Sequence, residues 1–316
     1  MNIVDIILMM VALAFAWSMG AHYTGACMGM PYAARSISLT GALWTMASLA
    51  LIGATFLSHK VLLNVGHNIL VANRVNAPPA IAIIAAAFLL TTIFTQRRIP
   101  TSTIQILVFC IIGAGAALGL AIRWDTVIRL AMLWITAPLI AFALGYLFTR
   151  LFDAVPGFAN SGVTGHIGRA LVIVGGAASL TMGANDVSNA TALFLTTGFS
   201  GPLLAGLIGG AGLALGVLTW GKPLLQRIAF DVVKLDMSMA TAAQLVQALV
   251  VLTAVFFGYF TSMNQALIGA MAGTGFARGR ETVDRKVIFG ILRGWIISPA
   301  AGAALGYGFG LLTRIL

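Results

Sequence analysis

Long apolar stretches, separated by short polar ones, follow one another along almost the whole chain. Several of them approach the length of about 20 residues that a helix needs to cross a bilayer. The alternating ten-residue pattern of an outer-membrane barrel is absent. The pattern predicts an all-α polytopic membrane protein with apolar segments near 3–20, 36–57, 78–95, 101–121, 127–149, 168–183, 200–220, 240–258, 262–276 and 287–312.

Parts of the first half of the chain recur in the second half. WITAPLIAFALGYLF at 134–148 aligns without gaps with WIISPAAGAALGYGF at 295–309, at an offset of 161 residues (295 minus 134). TSTIQILVFCIIGAG at 101–115 aligns in the same way with TSMNQALIGAMAGTG at 261–275. Repeated blocks in the same order predict an internal duplication.

A third pair of blocks, MGAHYTGA at 19–26 and MGANDVSN at 182–189, completes the repeat. We therefore predict two repeats, 1–155 and 156–316, that together form one transport unit, each with about five transmembrane or re-entrant segments. An odd number of segments per half places the two halves in opposite membrane orientations. Inverted-topology repeats are typical of secondary transporters, whose binding site lies near the bilayer midplane.

Only 8% of the 316 residues are charged, and the net charge is +10. Most Lys and Arg residues follow odd-numbered segments, so those loops are predicted to be cytoplasmic and both termini extracytoplasmic, in a bacterial-type cytoplasmic (inner) membrane. Basic residues that orient a membrane protein do not indicate nucleic acid binding. The basic residues predicted on the extracytoplasmic side are Lys60, Arg74, Arg123, Arg129 and Arg314.

One acidic residue of eight, Asp186, is enclosed by apolar sequence, in the stretch SLTMGANDVSNAT at 179–191. An ionisable residue inside a membrane is costly, which makes it a candidate for function. A helix break expected at Gly183 favours a functional role, although a structural cap at a helix end is an alternative. The substrate-binding candidates in this stretch are Asn185, Asp186, Ser188 and Asn189.

The stretch RIPTSTIQ at 98–105 has the features of a half-helix start. Pro100 suits the first helical position, and the hydroxyls that follow suit a cap. The N-terminus of such a helix favours an anion, although Ser and Thr in membrane helices also bond to their own backbone. The candidates at the two half-helix starts, together with Thr24 from the first-half block, are Thr24, Thr101, Ser102, Thr103, Gln105, Thr261, Ser262, Asn264 and Gln265.

GANDVSNA at 183–190 and IPTSTIQ at 99–105, together with the Trp-Pro segments, resemble the inorganic phosphate transporter family, PiT. The resemblance covers essentially the whole chain. It implies an ion-coupled symporter, driven by Na⁺ or H⁺, with inverted repeats whose motifs line a central anion and cation site. The site residues that it implies are Asn185, Asp186 and Asn189, with Ser102, Thr103 and Ser262 as anion donors.

The departures from the family pattern bear on the substrate. His22 and Tyr23 stand where the family has Asn and Asp, Gln105 and Gln265 where it has His, and Phe260 where it has the second Pro. Hydrogen phosphate carries a proton and benefits from an acceptor, whereas sulfate needs donors only. The pattern is similar to the bacterial sulfate-permease branch of the family. Sulfate is the expected substrate, phosphate is the alternative, and a passive anion channel is a remote alternative.

The coupling ion follows from the same positions. Asp186 is expected to be either the proton-coupling carboxylate or the one remaining Na⁺ ligand. His22 titrates near neutrality and favours H⁺, with Tyr23 as its neighbour, although a structural role for His22 is an alternative. No cofactor is expected. The sequence contains no nucleophile elbow that would indicate an enzyme. The expected partners are the inorganic anion and the lipid bilayer, with a homodimer as an option.

Overall fold

The computed structural model describes residues 2–70, 76–97, 101–157, 165–231, 236–279 and 285–315, without the side chains of His67, 227–231, 285–291 and 315. Within these ranges the chain is helical, and its only bridge pairs Leu70 with Ile122. The helices are α1 (Ile3–His22), α2 (Thr24–Ala33), α3 (Leu39–Phe56), α4 (His59–His67), α5 (Ala77–Gln96), α6 (Thr103–Leu118), α7 (Trp124–Ala154), α8 (His166–Thr191), α9 (Leu193–Thr197), α10 (Pro202–Asp231), α11 (Met237–Phe256), α12 (Met263–Arg278) and α13 (Arg285–Ile315).

Eight helical stretches of the described residues are long and apolar enough to cross a membrane. This finding confirms the predicted all-α polytopic fold. The helices α6 and α12 have 16 residues each, which is about 24 Å and too short for a hydrocarbon core of about 30 Å. Both therefore fit the predicted half-helices.

The helix bounds follow the sequence repeat. The pair α6 and α12 match in length, and so do α7 and α13, with 31 residues each. A one-residue interruption at Tyr23 separates α1 from α2, and another at Ala192 separates α8 from α9, although at a later position of the repeat. These matches support the predicted duplication, while the opposite orientation of the two halves stays a prediction.

Helices of each half pack mainly against helices of the other half. Helix α1 packs on α10 and α8 packs on α3, while α6 packs on α13 and α12 on α7. In each pair, a helix of one half lies against a helix of the other half. The halves are therefore interlocked and share one hydrophobic core.

Glycines at equivalent positions allow this close packing. A Cβ atom at Gly20 of α1 would overlap the carbonyl oxygen of Leu213 in α10. A Cβ atom at Gly183 of α8 would overlap the carbonyl oxygen of Ala50 in α3. Because protein interiors are close-packed, a methyl group has no room at either point.

The predicted helix break at Gly183 is wrong. Helix α8 continues through Gly183 to Thr191 and is interrupted only at Ala192. Gly183 serves the contact with α3, so its missing side chain allows close approach and does not end the helix. Pro100, predicted as a first helical residue, and the basic loop residue Arg74 lie outside the described residues.

Candidate functional site

The polar residues of α8 form a fully enclosed cluster. Asn185 and Asp186 are 0% exposed and Asn189 is 2% exposed. The Asp186 carboxylate accepts from Asn185 Nδ2 at 3.1 Å, and from Asn189 Nδ2 and Thr103 Oγ1 at 3.4 Å each. A buried carboxylate is costly unless it is paired or hydrogen-bonded, and these donors supply that compensation.

One more segment reaches the carboxylate. The Tyr23 hydroxyl, at the interruption between α1 and α2, lies 2.8 Å from Thr103 Oγ1 at the start of α6 and interacts with Asp186. Asn189 Nδ2 also donates to Thr103 Oγ1 at 3.1 Å. The ion pairs of the described residues lie elsewhere, at Asp125 and around Arg278. Asp186 is thus held by neutral donors from three segments.

In the second half, direct hydrogen bonds join α8 to the segment that leads into the half-helix α12. Asn185 Nδ2 donates to the carbonyl oxygen of Thr261 at 2.8 Å, and the Thr261 N–H donates back to Asn185 Oδ1 at 3.0 Å. Ser262 then caps α12 by accepting from the Gln265 N–H at 3.4 Å. One side chain therefore fixes the backbone that leads into α12.

The first half makes the equivalent connection through a relay. His22 Nε2 lies 3.2 Å from Asn264 Nδ2, which also donates to the carbonyl oxygen of Thr101 at 3.2 Å. His22 Nδ1 lies 2.8 Å from Thr95 Oγ1, which gives its own proton to the carbonyl oxygen of Thr91. Since Asn264 donates to Nε2, the network assigns the proton of a neutral ring to Nδ1.

Ser102 caps α6 as predicted, because its Oγ accepts from the Gln105 N–H at 3.4 Å. Both half-helices therefore begin at a serine cap, at equivalent positions. The α12 residue Asn264 reaches the segment before α6 through its bond to Thr101. The two half-helix starts meet beside the α8 cluster, as the sequence predicts.

Equivalent polar atoms at the two half-helix starts lack partners among the described residues. These buried atoms are Thr101 Oγ1 and Thr261 Oγ1, and Gln105 Oε1 and Gln265 Oε1. Buried polar atoms in folded proteins nearly always have a partner, so each exception asks for an explanation. The two hydroxyls, next to two positive helix ends, suit an anion, whereas the two amide oxygens are acceptors and suit a proton of the substrate.

Two residues predicted to bind the substrate, Ser188 and Thr24, use their hydroxyls to bind the backbone instead. Ser188 Oγ donates to the carbonyl oxygen of Asn185 at 2.8 Å. Thr24 Oγ1 donates to the carbonyl oxygens of Ala21 at 2.7 Å and Gly221 at 3.2 Å. Their hydroxyl protons are engaged by backbone, as the alternative interpretation of such residues expects.

The structure adds two glutamines that sequence reasoning missed. Gln244 and Gln247 of α11 are 0% exposed, and Gln244 Nε2 donates to Gln247 Oε1 and to the carbonyl oxygen of Ala26, both at 2.8 Å. Gln247 Nε2 reaches the carbonyl oxygen of Met263, the first residue of α12, at 3.5 Å. Two amides three residues apart in an otherwise apolar helix are a signal that points to one inward face.

A helical bundle with eight candidate spans, interrupted helices and an enclosed polar centre defines a membrane transport protein. The sequence profile described as the phosphate transporter family matches residues 19–164 and 158–306. The chain therefore belongs to the phosphate transporter family. It is therefore an anion transporter and not an enzyme. The expected class of function, transport of an inorganic anion, is confirmed.

Individual relatives cover most of the chain. A protein of Pyrococcus furiosus named "Putative phosphate permease" is 22% identical, over 98% of this chain and 97% of its own length. The sulfate permease CysP of Bacillus subtilis is 26% identical, over 94% of this chain and 84% of its own length. A solved structure described as "The sodium-dependent phosphate transporter" covers 100% of both chains, with a TM-score of 0.91 and 20% identity. That structure shows that the fold is shared.

Proposed function

We propose that this chain is a secondary active symporter of a tetrahedral inorganic oxyanion, with sulfate preferred and H⁺ as the coupling ion. The observation that carries the proposal is the mirrored pair of unpartnered hydroxyls, Thr101 Oγ1 and Thr261 Oγ1, next to two capped half-helix starts. An anion held there accepts from these hydroxyls and from the positive helix ends.

Sulfate is favoured because the site offers no free carboxylate. Both oxygens of Asp186 already accept from neighbouring side chains, among them Asn185 and Asn189. A substrate hydroxyl would have to compete with these donors for the carboxylate. Sulfate carries no proton and needs donors only, and one relative of the chain is named a sulfate permease.

Phosphate is the second candidate, and a specific observation favours it. The amide oxygens of Gln105 and Gln265 are unpartnered acceptors, as placed in the structure. Such an oxygen can accept the proton of hydrogen phosphate. Several relatives are named phosphate permeases, the protein of Pyrococcus furiosus among them.

Proton coupling is supported by the position of His22. The ring is half-buried and bonded to Thr95, which lines a cavity of about 180 Å³ together with Trp220 and Pro223. Thr95 therefore places the imidazole, a side chain able to carry a proton, beside this cavity. Na⁺ is the alternative, since the solved relative is described as sodium-dependent, with Asp186 as an oxygen ligand.

The orientation and assembly are part of the proposal. The distribution of basic loops supports a cytoplasmic (inner) membrane location with both termini outside, and the repeat supports inverted halves. A homodimer stays a prediction. Accumulation against a gradient separates this proposal from a passive anion channel.

The experiment that tests the proposal uses purified protein in liposomes. Uptake of radiolabelled sulfate and of radiolabelled phosphate is measured, each competed by the other, with an imposed pH gradient or Na⁺ gradient. We expect sulfate to accumulate above its equilibrium level and phosphate to compete weakly. Accumulation of phosphate with no competition by sulfate would reverse the substrate assignment, and accumulation of neither anion would refute the proposed function.

A further inference from the structure

A second polar cavity opens at the surface, apart from the cluster around Asp186. Its volume is about 500 Å³, and its walls come from α4, from the start of α7 and from residues 257–259 after α11. Its charged lining residues are Lys60, Arg123, Asp125 and Arg129, and the amides of Asn64 and Asn68 add hydrogen-bonding groups.

The charges that line this cavity are mainly positive. Arg129 pairs with Asp125 at 3.6 Å, so one of the three cations has an acidic neighbour. Lys60 Nζ donates to the carbonyl oxygen of Phe256 at 3.0 Å and lies 4.8 Å from the centre of its ring. Because both contacts are with uncharged groups, they orient the ammonium group without neutralising its charge. Among the described lining residues, two positive charges therefore stay uncompensated.

The cavity wall continues into the candidate anion site. Asn64 Nδ2 donates to the carbonyl oxygen of Gly258 at 2.9 Å, and Gly258 and Tyr259 line the cavity. Gly258 has φ +79°, a conformation that favours glycine and turns the chain here. Two residues after Tyr259, Thr261 is bonded to Asn185. A short segment thus joins the cavity to the start of α12.

The position of these cations on the predicted topology is unusual. Basic residues are scarce on the extracytoplasmic side because they oppose the preferred membrane orientation. Of the five predicted on that side, Lys60, Arg123 and Arg129 line this one cavity. Their convergence calls for a role other than orientation.

We propose that this cavity is an extracytoplasmic vestibule that collects the inorganic oxyanion before it enters the site at Asp186. The proposal rests on the proposed function for its substrate. Positive charge around a recessed opening raises the local concentration and the association rate of an anion, and salt screens the effect. The vestibule therefore lowers the KM for uptake from this side and leaves the maximal rate unchanged.

The first test measures KM for sulfate uptake by right-side-out vesicles at low and high ionic strength. The double variant Lys60→Gln/Arg123→Gln is expected to raise KM on the order of tenfold at low ionic strength, with the difference shrinking at high ionic strength. Asp125→Asn should lower KM. Arg314→Gln removes a cation on the same predicted side but outside the cavity, and should leave KM unchanged. An unchanged KM in the double variant, or an equal rise in Arg314→Gln, overturns the proposal.

A second test needs no transport, so it separates failure of the vestibule from failure of the proposed function. Thr126 lines the cavity, and a Thr126→Cys variant is modified with an anionic or a cationic methanethiosulfonate reagent. The native cysteines, Cys27 and Cys110, are buried. The ratio of anionic to cationic rates should fall several-fold when Lys60→Gln/Arg123→Gln is added. An unchanged ratio overturns the vestibule, whatever the protein transports.

Discussion

His22 and Asn185 lie at equivalent positions of the two repeated blocks but hold the two half-helix starts differently. In the second half, Asn185 binds the backbone of Thr261 through two direct hydrogen bonds. In the first half, His22 reaches Thr101 only through Asn264, a residue of the other half. One connection is made by an amide that cannot take up a proton, and the other passes through an imidazole, a side chain type that can.

The difference indicates a division of roles. The second-half connection places Asp186, Asn189 and the start of α12 in one rigid arrangement, which suits substrate binding. A proton added to His22 Nε2 would oppose the Asn264 N–H that now points at it, because both groups would be donors. Protonation of His22 would therefore break a contact between the two halves. An element with two arrangements, biased by a proton, is what coupling requires.

The largest effect is expected from Asp186→Asn. The change keeps the shape of the side chain and removes the charge that Asn185, Asn189 and Thr103 now stabilise, so coupled uptake should be lost while the protein folds. Uptake into proteoliposomes and thermal unfolding are measured together.

Asp5→Asn is the control for Asp186→Asn, since Asp5 lies in an exposed capping box at the start of α1. It should transport normally. Asp186→Asn protein that folds and transports at the wild-type rate, with the wild-type pH dependence, would show that Asp186 is structural.

Equivalent substitutions at Asn185 and His22 test the comparison itself. Asn185→Ala leaves the buried backbone groups of Thr261 unpaired, which should cost about 1–3 kcal/mol of stability and lower both exchange and uptake.

His22→Gln keeps an acceptor for Asn264 but cannot titrate, so anion exchange should persist while accumulation on a pH gradient is lost.

His166→Gln, a change of an exposed histidine at the start of α8, should behave like the wild type. If His22→Gln accumulates sulfate on a pH gradient as well as the wild type does, the histidine has no part in coupling. If Asn185→Ala is as stable and active as the wild type, the connection between Asn185 and Thr261 is not needed for function.

A smaller effect is expected when the first half is given the family pattern. The double variant His22→Asn/Tyr23→Asp places an amide and a second carboxylate at the mirrored positions. Because hard cations prefer oxygen ligands, Na⁺ dependence of uptake or phosphate uptake should rise. Uptake is compared in Na⁺ and choline media, with Tyr23→Phe as the variant that adds no carboxylate. A double variant that keeps full activity without any gain from Na⁺ would contradict the reasoning.

The smallest difference is expected between the two glycine contacts. Gly20→Ala and Gly183→Ala each place a methyl group against a backbone carbonyl, at Leu213 and Ala50, and overpacking of this kind costs about 1–3 kcal/mol. Because the contacts are equivalent, both variants should lower the unfolding temperature similarly. A large loss at one position alone would show that the halves are not packed alike.

The main features of the fold were accessible from sequence because they depend on local patterns. Apolar runs predicted the spanning helices, and the repeated blocks predicted α6 and α12 with their caps at Ser102 and Ser262. The isolation of Asp186 in apolar sequence predicted its burial. Each of these signals lies within a few consecutive residues, or within two stretches that can be aligned.

The remaining features depend on contacts between distant residues. Gly183 signals a flexible backbone as easily as a close contact, and only the position of Ala50 in another helix decides between them. The bond between His22 and Asn264 joins residues 242 positions apart, so no local pattern predicts it. Gln244 and Gln247 show an inward polar face only when the neighbours of α11 are known.

The most direct test of the coupling claim follows protons and sulfate in the same proteoliposomes. A pH-sensitive dye reports proton entry while radiolabelled sulfate is counted, first with Na⁺ replaced by choline and then with the pH gradient collapsed by an ionophore. The proposed H⁺ coupling predicts that sulfate uptake carries protons inward, persists in choline and stops when the pH gradient is collapsed. Uptake that requires Na⁺ and survives loss of the pH gradient would contradict it.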